Sequence, residues 1–378
     1  MLIAKTIQGE LINCFKLPNQ ELKTMKQDSF FCPSCGEKVK LKIGIVRIPH
    51  FAHLSGSQCV AFCENESPEH LELKRIISDW SDEIKLEVYF PQLKQRPDAL
   101  LNKICLEIQC SSLSIERLIE RTNNYKRHGY QVLWLLGHKF SFKKRLSSLQ
   151  RSFMNYSNAC GFYLWFLDLE SQTLILKYHI SEDYLGNLFY HEQFFPFFQG
   201  DLSEILNYPQ NGIFKQHLDF IPVDMLKKFH QKNWHGVSGR SEHYLKMQAH
   251  LYQERENLLQ LPKYYYYPGL KPIFAKKDFL LWKLHLFQLL EGGVSLKEAI
   301  YQLFRVNLAT YHMPNIRQAD LFMDFIIEEL LALKTLNLLI EKEKRFYLIK
   351  CKTRHLIPYE HDWQKIPKVS SQLPRKLC

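Results

Sequence analysis

Arg96-Pro97-Asp98-Ala99-Leu100-Leu101-Asn102-Lys103-Ile104-Cys105-Leu106-Glu107-Ile108-Gln109 is the stretch on which the fold turns. With Asn102-Lys103 as a two-residue turn, Leu101 pairs with Ile104, and counting outward sets Asp98 opposite Glu107. Side chains alternate along a strand, so Ile104, Leu106 and Ile108 share one face while Cys105, Glu107 and Gln109 share the other. Directly opposed residues hold their Cβ atoms about 4.5–5.5 Å apart, where like charges repel. Two arrangements satisfy the pair. Either a hard divalent cation with oxygen ligands, Mg²⁺ or Mn²⁺, lies between the carboxylates, or the hairpin is exposed and its acids are solvated. Asn-Lys is a weaker turn former than Asn-Gly. Under the cation reading, Asp98→Asn or Glu107→Gln removes the ion and leaves the fold intact or slightly stabilised.

Upstream, Ser67 to Trp80 opens like a helix, with Ser67 as cap and Pro68 at the first helical position. Leu73, Ile76, Ile77 and Trp80 recur at helical spacing and form the expected buried stripe. Glu69 falls near the middle of that stripe, one turn ahead of Leu73, whereas Glu72 lies off it. An unpaired buried carboxylate is expensive, so Glu69 either profits from the helix dipole or reaches the same cation as Asp98 and Glu107. Lys85–Phe90 reads as a strand. Ser114–Tyr125 reads as a helix with Ile115, Leu118, Ile119 and Thr122 inward, stopping near Gly129. Gln131–Leu136 is a continuous apolar run, as in a strand covered on both faces. The order helix, three strands, helix, strand makes a mixed α/β domain.

That order, with Pro97-Asp98 followed by Glu107-Ile108-Gln109, resembles the PD-(D/E)xK nuclease superfamily. From about Met1 to His138 the chain also resembles the competence protein CoiA family. The resemblance is carried by Cys32-Pro33-Ser34-Cys35, Pro49-His50-Phe51-Ala52-His53, Glu66-Ser67-Pro68-Glu69-His70, Arg96-Pro97-Asp98, Glu107-Ile108-Gln109-Cys110-Ser111 and Arg121 through Tyr125. It implies a restriction-endonuclease-like core and a cytosolic protein of naturally transformable Gram-positive bacteria. Such a protein acts on incoming, single-stranded transforming DNA, in company with recombination proteins. Asp98 and Glu107 match the superfamily's metal-binding acids, and Glu69 corresponds to the acid supplied by its first helix. Gln109 replaces the usual lysine. Glutamine can hydrogen-bond but brings no charge, which sets a metal-dependent nuclease against a catalytically weak DNA-binding or adaptor protein on the same scaffold. Lys74, Arg117 and Arg121 are the candidate substitute cations, each projecting off its helix's expected buried stripe.

The N-terminal segment holds a second constellation. Cys32 and Cys35 are followed, after fourteen intervening residues, by His50 and His53. Paired cysteines and histidines in this order resemble a structural Zn²⁺ site. The histidine spacing is shorter than usual, and Cys59 or Cys63 can replace one or both histidines. In the alternative, the histidines pack beside Phe51 and the cysteines are small hydrophobes.

The composition, 50 Lys+Arg against 39 Asp+Glu for a formal charge of +11 in 378 residues, favours a polyanionic partner. Lys139, Lys143, Lys144, Arg145 and Arg151, interleaved with Phe140, Phe142 and Phe153, can track phosphates and stack bases. The same pattern also describes a solvated helix face over a core. The start of the chain has no signal-peptide apolar core, and no run approaches a membrane span. A reducing cytoplasm is expected, where paired cysteines hold metal more readily than they form disulfides.

Four regions follow: 1–66 with the zinc-knuckle-like segment, 67–138 as the nuclease-like αβββαβ core, 139–272 as a mixed basic and aromatic-rich middle, and 273–378 as a mainly helical end. In the last, helices over Phe279–Leu290, Ser295–Arg305 and Asp320–Leu333 precede strands at Leu338–Glu341 and Arg345–Ile349, a winged-helix-like order. The third helix is acidic, with Asp320, Asp324, Glu328 and Glu329, which argues against its reading a DNA groove.

Overall fold

The computed structural model describes residues 1–349, apart from 15, 45–47, 58, 60–65, 215–222, 262, 267–268, 277–278 and 307. Two compact units are present. The first takes in Met1–Phe142, Ser152–Tyr178 and His191–Ile213; the second takes in Lys143–Arg151, His179–Tyr190 and the described residues from Phe214 onward.

The chain begins with β1 (Ile3–Lys5), β2 (Leu11–Asn13), a short helix α1 (Asn19–Thr24), β3 (Phe30–Phe31), β4 (Lys38–Lys42) and β5 (His50–His53). These strands form an antiparallel sheet in the order β2-β1-β3-β4-β5. β4 alternates exposed lysines with buried Val39 and Leu41, the period-2 pattern of a sheet with one face covered.

Helix α2 (Pro68–Trp80) starts where its cap predicts, the Ser67 hydroxyl accepting the His70 amide at 3.1 Å. Leu73, Ile76 and Ile77 are buried as expected, and so is Lys74. Trp80 is half-buried instead, against Phe197 and Phe198 at ring distances of 5.7 and 6.0 Å. The expected Lys85–Phe90 strand shrinks to β6 (Lys85–Leu86). Glu87 breaks it by adopting φ +50° and turning its carboxylate inward, where the amides of Leu2 and Ile3 donate to it at 2.9 and 3.1 Å. A buried acid must find donors, and these lie off the strand ladder.

The deciding hairpin forms as counted. β7 (Ala99–Leu101) and β8 (Ile104–Gln109) pair Leu101 with Ile104, Leu100 with Cys105 and Ala99 with Leu106. Asn102 takes the left-handed turn conformation, φ +53°. α3 (Ile115–Arg127), capped by Ser114, returns the chain to β9 (Gln131–Leu136), which runs parallel to β8 along its whole length. Val132 to Leu136 are all buried, as a strand covered on both faces requires. α4 (Ser148–Phe153), β10 (Asn155–Ser157), β11 (Gly161–Asp168), β12 (Thr173–Asp183), β13 (Leu188–Pro196) and α5 (Leu202–Asn211) follow. The sheet runs β13-β12-β11-β9-β8-β7-β6, with β10 on β11. The protein is thus mixed α/β, and α2-β6-β7-β8-α3-β9 reproduces the expected order of elements.

The second unit contains α6 (Val223–Ser238), α7 (Glu242–Gln253), β14 (Leu270–Lys271), α8 (Phe279–Gly292), α9 (Leu296–Phe304), α10 (Gln318–Thr335), β15 (Leu339–Lys342) and β16 (Arg345–Leu348). The last two form an antiparallel hairpin, so three helices and two strands stand where the sequence puts them. Glu329 does not join an exposed acidic face. It is buried and pairs with Lys283 at 2.8 Å, a lysine with no exposure whose ammonium also bonds the Tyr184 hydroxyl at 3.2 Å. Among the described residues no helix is long and apolar enough to cross a membrane.

Candidate functional site

Asp98 lies one residue before β7, and α2 supplies its neighbours. Its Oδ2 accepts the Ile108 amide at 2.8 Å, and its Oδ1 lies 3.0 Å from His70 Nε2 and 3.3 Å from Lys74 Nζ. His70 and Lys74 are one helical turn apart, so one face of α2 presents both. Lys74, 1% exposed, also reaches Glu66 Oε1 at 2.8 Å and contacts Glu87. The side chains of His70, Asp98 and Glu66 keep 18%, 15% and 16% of their exposure. Solvent therefore meets these three, and the ammonium of Lys74 is shielded.

Burial opposes every one of these charges, and the partners overrule it. Burial raises the Asp98 carboxyl, yet His70 and Lys74 together hold it well below the usual carboxylate range. Burial lowers His70, but Asp98 leaves it above its ordinary value. Burial also lowers Lys74, and Glu66, Glu87 and Asp98 raise it further still.

Glu107, 3% exposed, sits across the hairpin from Asp98 but is committed elsewhere. Its Oε1 accepts from Arg121 Nη2, which also donates to the Arg96 carbonyl at 3.2 Å. Burial raises the Glu107 carboxyl, Arg121 pulls it down and Asp98 pushes it up, leaving it above the ordinary range. The amide nitrogen of Gln109 donates to the Ser111 carbonyl at 2.8 Å. Glu69 accepts the His138 amide at 2.8 Å and lies beside Gly137, where a Cβ would stand 2.6 Å from Glu69 Oε1 and 2.9 Å from Cys110 Sγ. A side chain at 137 would therefore push the Glu69 carboxylate or the Cys110 thiol aside.

This geometry alters the expected ligand set. Among the described residues, the ligand atoms that converge here within 4.8 Å belong to Glu66, His70 and Asp98; neither Glu107 nor Glu69 is part of the group. Asp98 and Glu107 are each engaged by partners of their own. Arg121 already neutralises Glu107, while His70, Lys74 and the Ile108 amide engage Asp98. Two carboxylates and an imidazole suit a divalent cation chemically, but the Lys74 ammonium already balances Glu66 and Asp98.

The expectation that Lys74 and Arg121 project off their helices' buried stripes is corrected. Both are buried, Arg121 on one face of α3 with Leu118, Thr122 and Tyr125. The physical reason is that a buried acid draws in a buried base. Arg117 pairs with Glu120 at 3.5 Å. Glu66, His70 and Glu87 were missed by sequence reasoning. The available signal was the i, i+4 spacing of His70 and Lys74, with Glu66 just ahead of the cap.

A second convergence lies in the N-terminal sheet, where Cys32, Cys35, His53 and Cys59 bring their ligand atoms within 4.8 Å of one another. His50 is not among them; its Nδ1 lies 2.9 Å from the Ile48 carbonyl. Three residues apart on β5, His50 and His53 fall on opposite faces of the strand. Cys63 lies outside the described residues.

The basic stretch divides by residue type. Lys139, Lys143, Lys144 and Arg145 are exposed, but the aromatics between them pack inward. Phe140 meets Phe153 edge to face at 5.4 Å, and Phe142 meets Phe166 in the same way at 5.3 Å. Arg151 is buried against Glu182 and the Ile273 carbonyl.

Residues 66–210 match the family model described as Competence protein CoiA, nuclease-like domain, and residues 14–62 match Competence protein CoiA, N-terminal domain. Together they take in just over half of the chain. The chain belongs to the competence protein CoiA family. The nuclease-like match contains Glu66, His70, Lys74, Asp98, Glu107 and Arg121, and the N-terminal match contains all four converging Cys and His residues. The chain is 28% identical over 167 residues to Competence protein CoiA of Bacillus subtilis (strain 168). That alignment spans 42% of this chain and 43% of the relative, less than half of either. No solved structure matches the chain.

Proposed function

We propose that this chain handles incoming DNA during natural transformation, in the cytoplasm, as a DNA-binding and catalytically weak form of the nuclease-like domain. The observation that carries the reading is the pairing of both expected catalytic acids with the protein's own cations: Asp98 with His70 and Lys74, Glu107 with Arg121. Gln109 adds no charge and turns to Ser111. The formal charge of +11 and the exposed Lys139, Lys143, Lys144 and Arg145 favour phosphate contacts, which make affinity fall with salt. His70, partly exposed and raised toward its charged form, is the cation nearest solvent at Asp98. The order of helices and hairpin at the end of the chain supports a winged-helix-like module, and recombination proteins are the partners the family resemblance implies.

A second reading, metal-dependent cleavage, is favoured by the convergence of Glu66, His70 and Asp98. Labelled single- and double-stranded DNA, tested for binding and cleavage in Mg²⁺, Mn²⁺ or EDTA, separates the two. The expected result is salt-sensitive binding that survives Asp98→Ala, with cleavage slow under every metal. Fast Mg²⁺-dependent cleavage that Asp98→Ala abolishes overturns the weak-enzyme reading in favour of the nuclease. Absence of DNA binding at low salt overturns both.

A further inference from the structure

We infer that Cys32, Cys35, His53 and Cys59 hold one Zn²⁺ ion, with Cys59 taking the place that residue order gives to His50. The inference is independent of the DNA-handling reading.

The four ligand atoms come from three separate pieces of the N-terminal sheet. Cys32 and Cys35 lie in the turn between β3 and β4, His53 ends β5, and Cys59 follows the next turn. All four atoms lie within 4.8 Å of one another, and Cys35 Sγ is 3.4 Å from His53 Nε2. A tetrahedral zinc with Zn–S near 2.3 Å and Zn–N near 2.0–2.1 Å sets sulfur and nitrogen ligands about 3.6 Å apart and two sulfurs about 3.8 Å apart. The spacing is that of a closed four-ligand shell.

The turn is also shaped for a thiolate. The Cys32 amide donates to the Glu37 carbonyl at 2.8 Å, and the Gly36 amide to the Cys32 carbonyl at 2.9 Å. Gly36 takes φ +74°, a conformation open to glycine at no steric cost. These bonds leave the Ser34 amide aimed at Cys32 Sγ at 3.4 Å, where it stabilises negative charge on sulfur. On the other side, the Ser57 hydroxyl contacts Glu37 and accepts the Cys59 amide at 3.3 Å, which brings the last cysteine to the group.

No disulfide joins the described cysteines, and three of them converge on one imidazole. Three soft sulfurs and a nitrogen select zinc over Mg²⁺ or Ca²⁺. A closed shell with no position left for water makes the ion structural. It ties together a small sheet whose β3 is two residues long, and a segment of this kind gains folding free energy from metal.

The test uses the full chain, purified without chelator and analysed for metal by atomic emission. About one zinc per chain is expected, unchanged in His50→Ala and lost in Cys59→Ser and His53→Ala. His50→Ala losing its zinc while Cys59→Ser keeps it overturns the ligand assignment, and zinc-free protein from zinc-supplemented cells overturns the site. Should the cysteine variant fail to fold, alkylation of the unaltered protein decides. Cys32, Cys35 and Cys59 should resist alkylation until a strong chelator is added and then react together. Alkylation of Cys59 that is indifferent to chelator, or a disulfide among the three, sinks the proposal.

Discussion

Replacing Glu107 with glutamine probes how the charges of the site are arranged. Two carboxylates facing each other across a hairpin repel, and removing one should leave the fold unchanged or slightly more stable. The structure reverses that expectation. Glu107 is buried and its carboxylate accepts from Arg121, itself buried. Removing one partner of a buried ion pair costs about 3–5 kcal/mol, because the remaining charge is left uncompensated. Glutamine keeps an oxygen that can accept, and Arg121 keeps the Arg96 carbonyl at 3.2 Å. The expected loss therefore lies near 2–3 kcal/mol, roughly 30- to 150-fold in the folding equilibrium. Urea unfolding can follow it through tryptophan fluorescence, since buried Trp134 donates to Thr122 on α3 at 3.1 Å and reports on this helix. Adding Arg121→Met to the Glu107→Gln background should recover most of the loss, and a double-mutant cycle measures the coupling. A Glu107→Gln protein as stable as the parent, with no coupling to Arg121, would refute the pairing and restore simple repulsion.

In a histidine NMR titration, His70 should titrate above its ordinary value near 6.5 in the parent and below it in Asp98→Asn, because burial then acts without the carboxylate. The pair's stabilisation has two pH limits: the raised imidazole contributes fully below about pH 6.5 and loses its contribution as pH rises through its folded pKa, whereas the lowered Asp98 contributes above about pH 3.9 and fails as pH falls. Gly137→Ala should cost about 1–3 kcal/mol in thermal unfolding by displacing the Glu69 carboxylate from the His138 amide, and Glu69→Ala in that background should cost little more. In the second unit, Lys283→Met should destabilise most near neutral pH, and less toward pH 4, because the Glu329 carboxyl, raised by burial, can then take up a proton. The double change Lys283→Met with Glu329→Leu should return stability to within about 1 kcal/mol of the parent or above it.

The hairpin was legible because its register follows from counting residues, and the β7–β8 pairing contains no bulge to upset the count. β9 and the two flanking helices were legible for similar reasons: an unbroken apolar run and serine caps are local signals. The charges were not. Apolar spacing marks a buried stripe by its hydrophobic members, so Lys74 and Arg121 read as lying off it and Glu87 as one residue of a strand. Their burial depends on partners from distant positions, Lys74 with Glu87 and Arg121 with Glu107, and no local window contains both members. The zinc-like group was legible in part, since the sequence offers Cys59 as a substitute for a histidine without saying which one. Spacing favours His50, but the alternation of β5 allows only one of its two histidines to face the cysteines.

The glutamine at 109 and the buried lysine at 74 are two halves of one charge balance. A lysine at 109 extends from the strand that carries Glu107 and can meet negative charge as it develops on a phosphate. Here the second positive charge enters from α2, 3.3 Å from Asp98 and with almost no exposure, so it stabilises the resting carboxylate. Electrostatic groups accelerate a reaction only where they meet charge that grows in the transition state, and Lys74 cannot do so without leaving Glu66, Glu87 and Asp98. In the DNA-handling reading the task at the open edge falls to His70. Phosphate affinity at this site, and any cleavage that accompanies it, should then weaken together as pH rises through the His70 pKa. They should also persist in a variant that keeps His70 and Asp98 but pairs Lys74→Met with Glu87→Gln, which relieves the buried acid left behind.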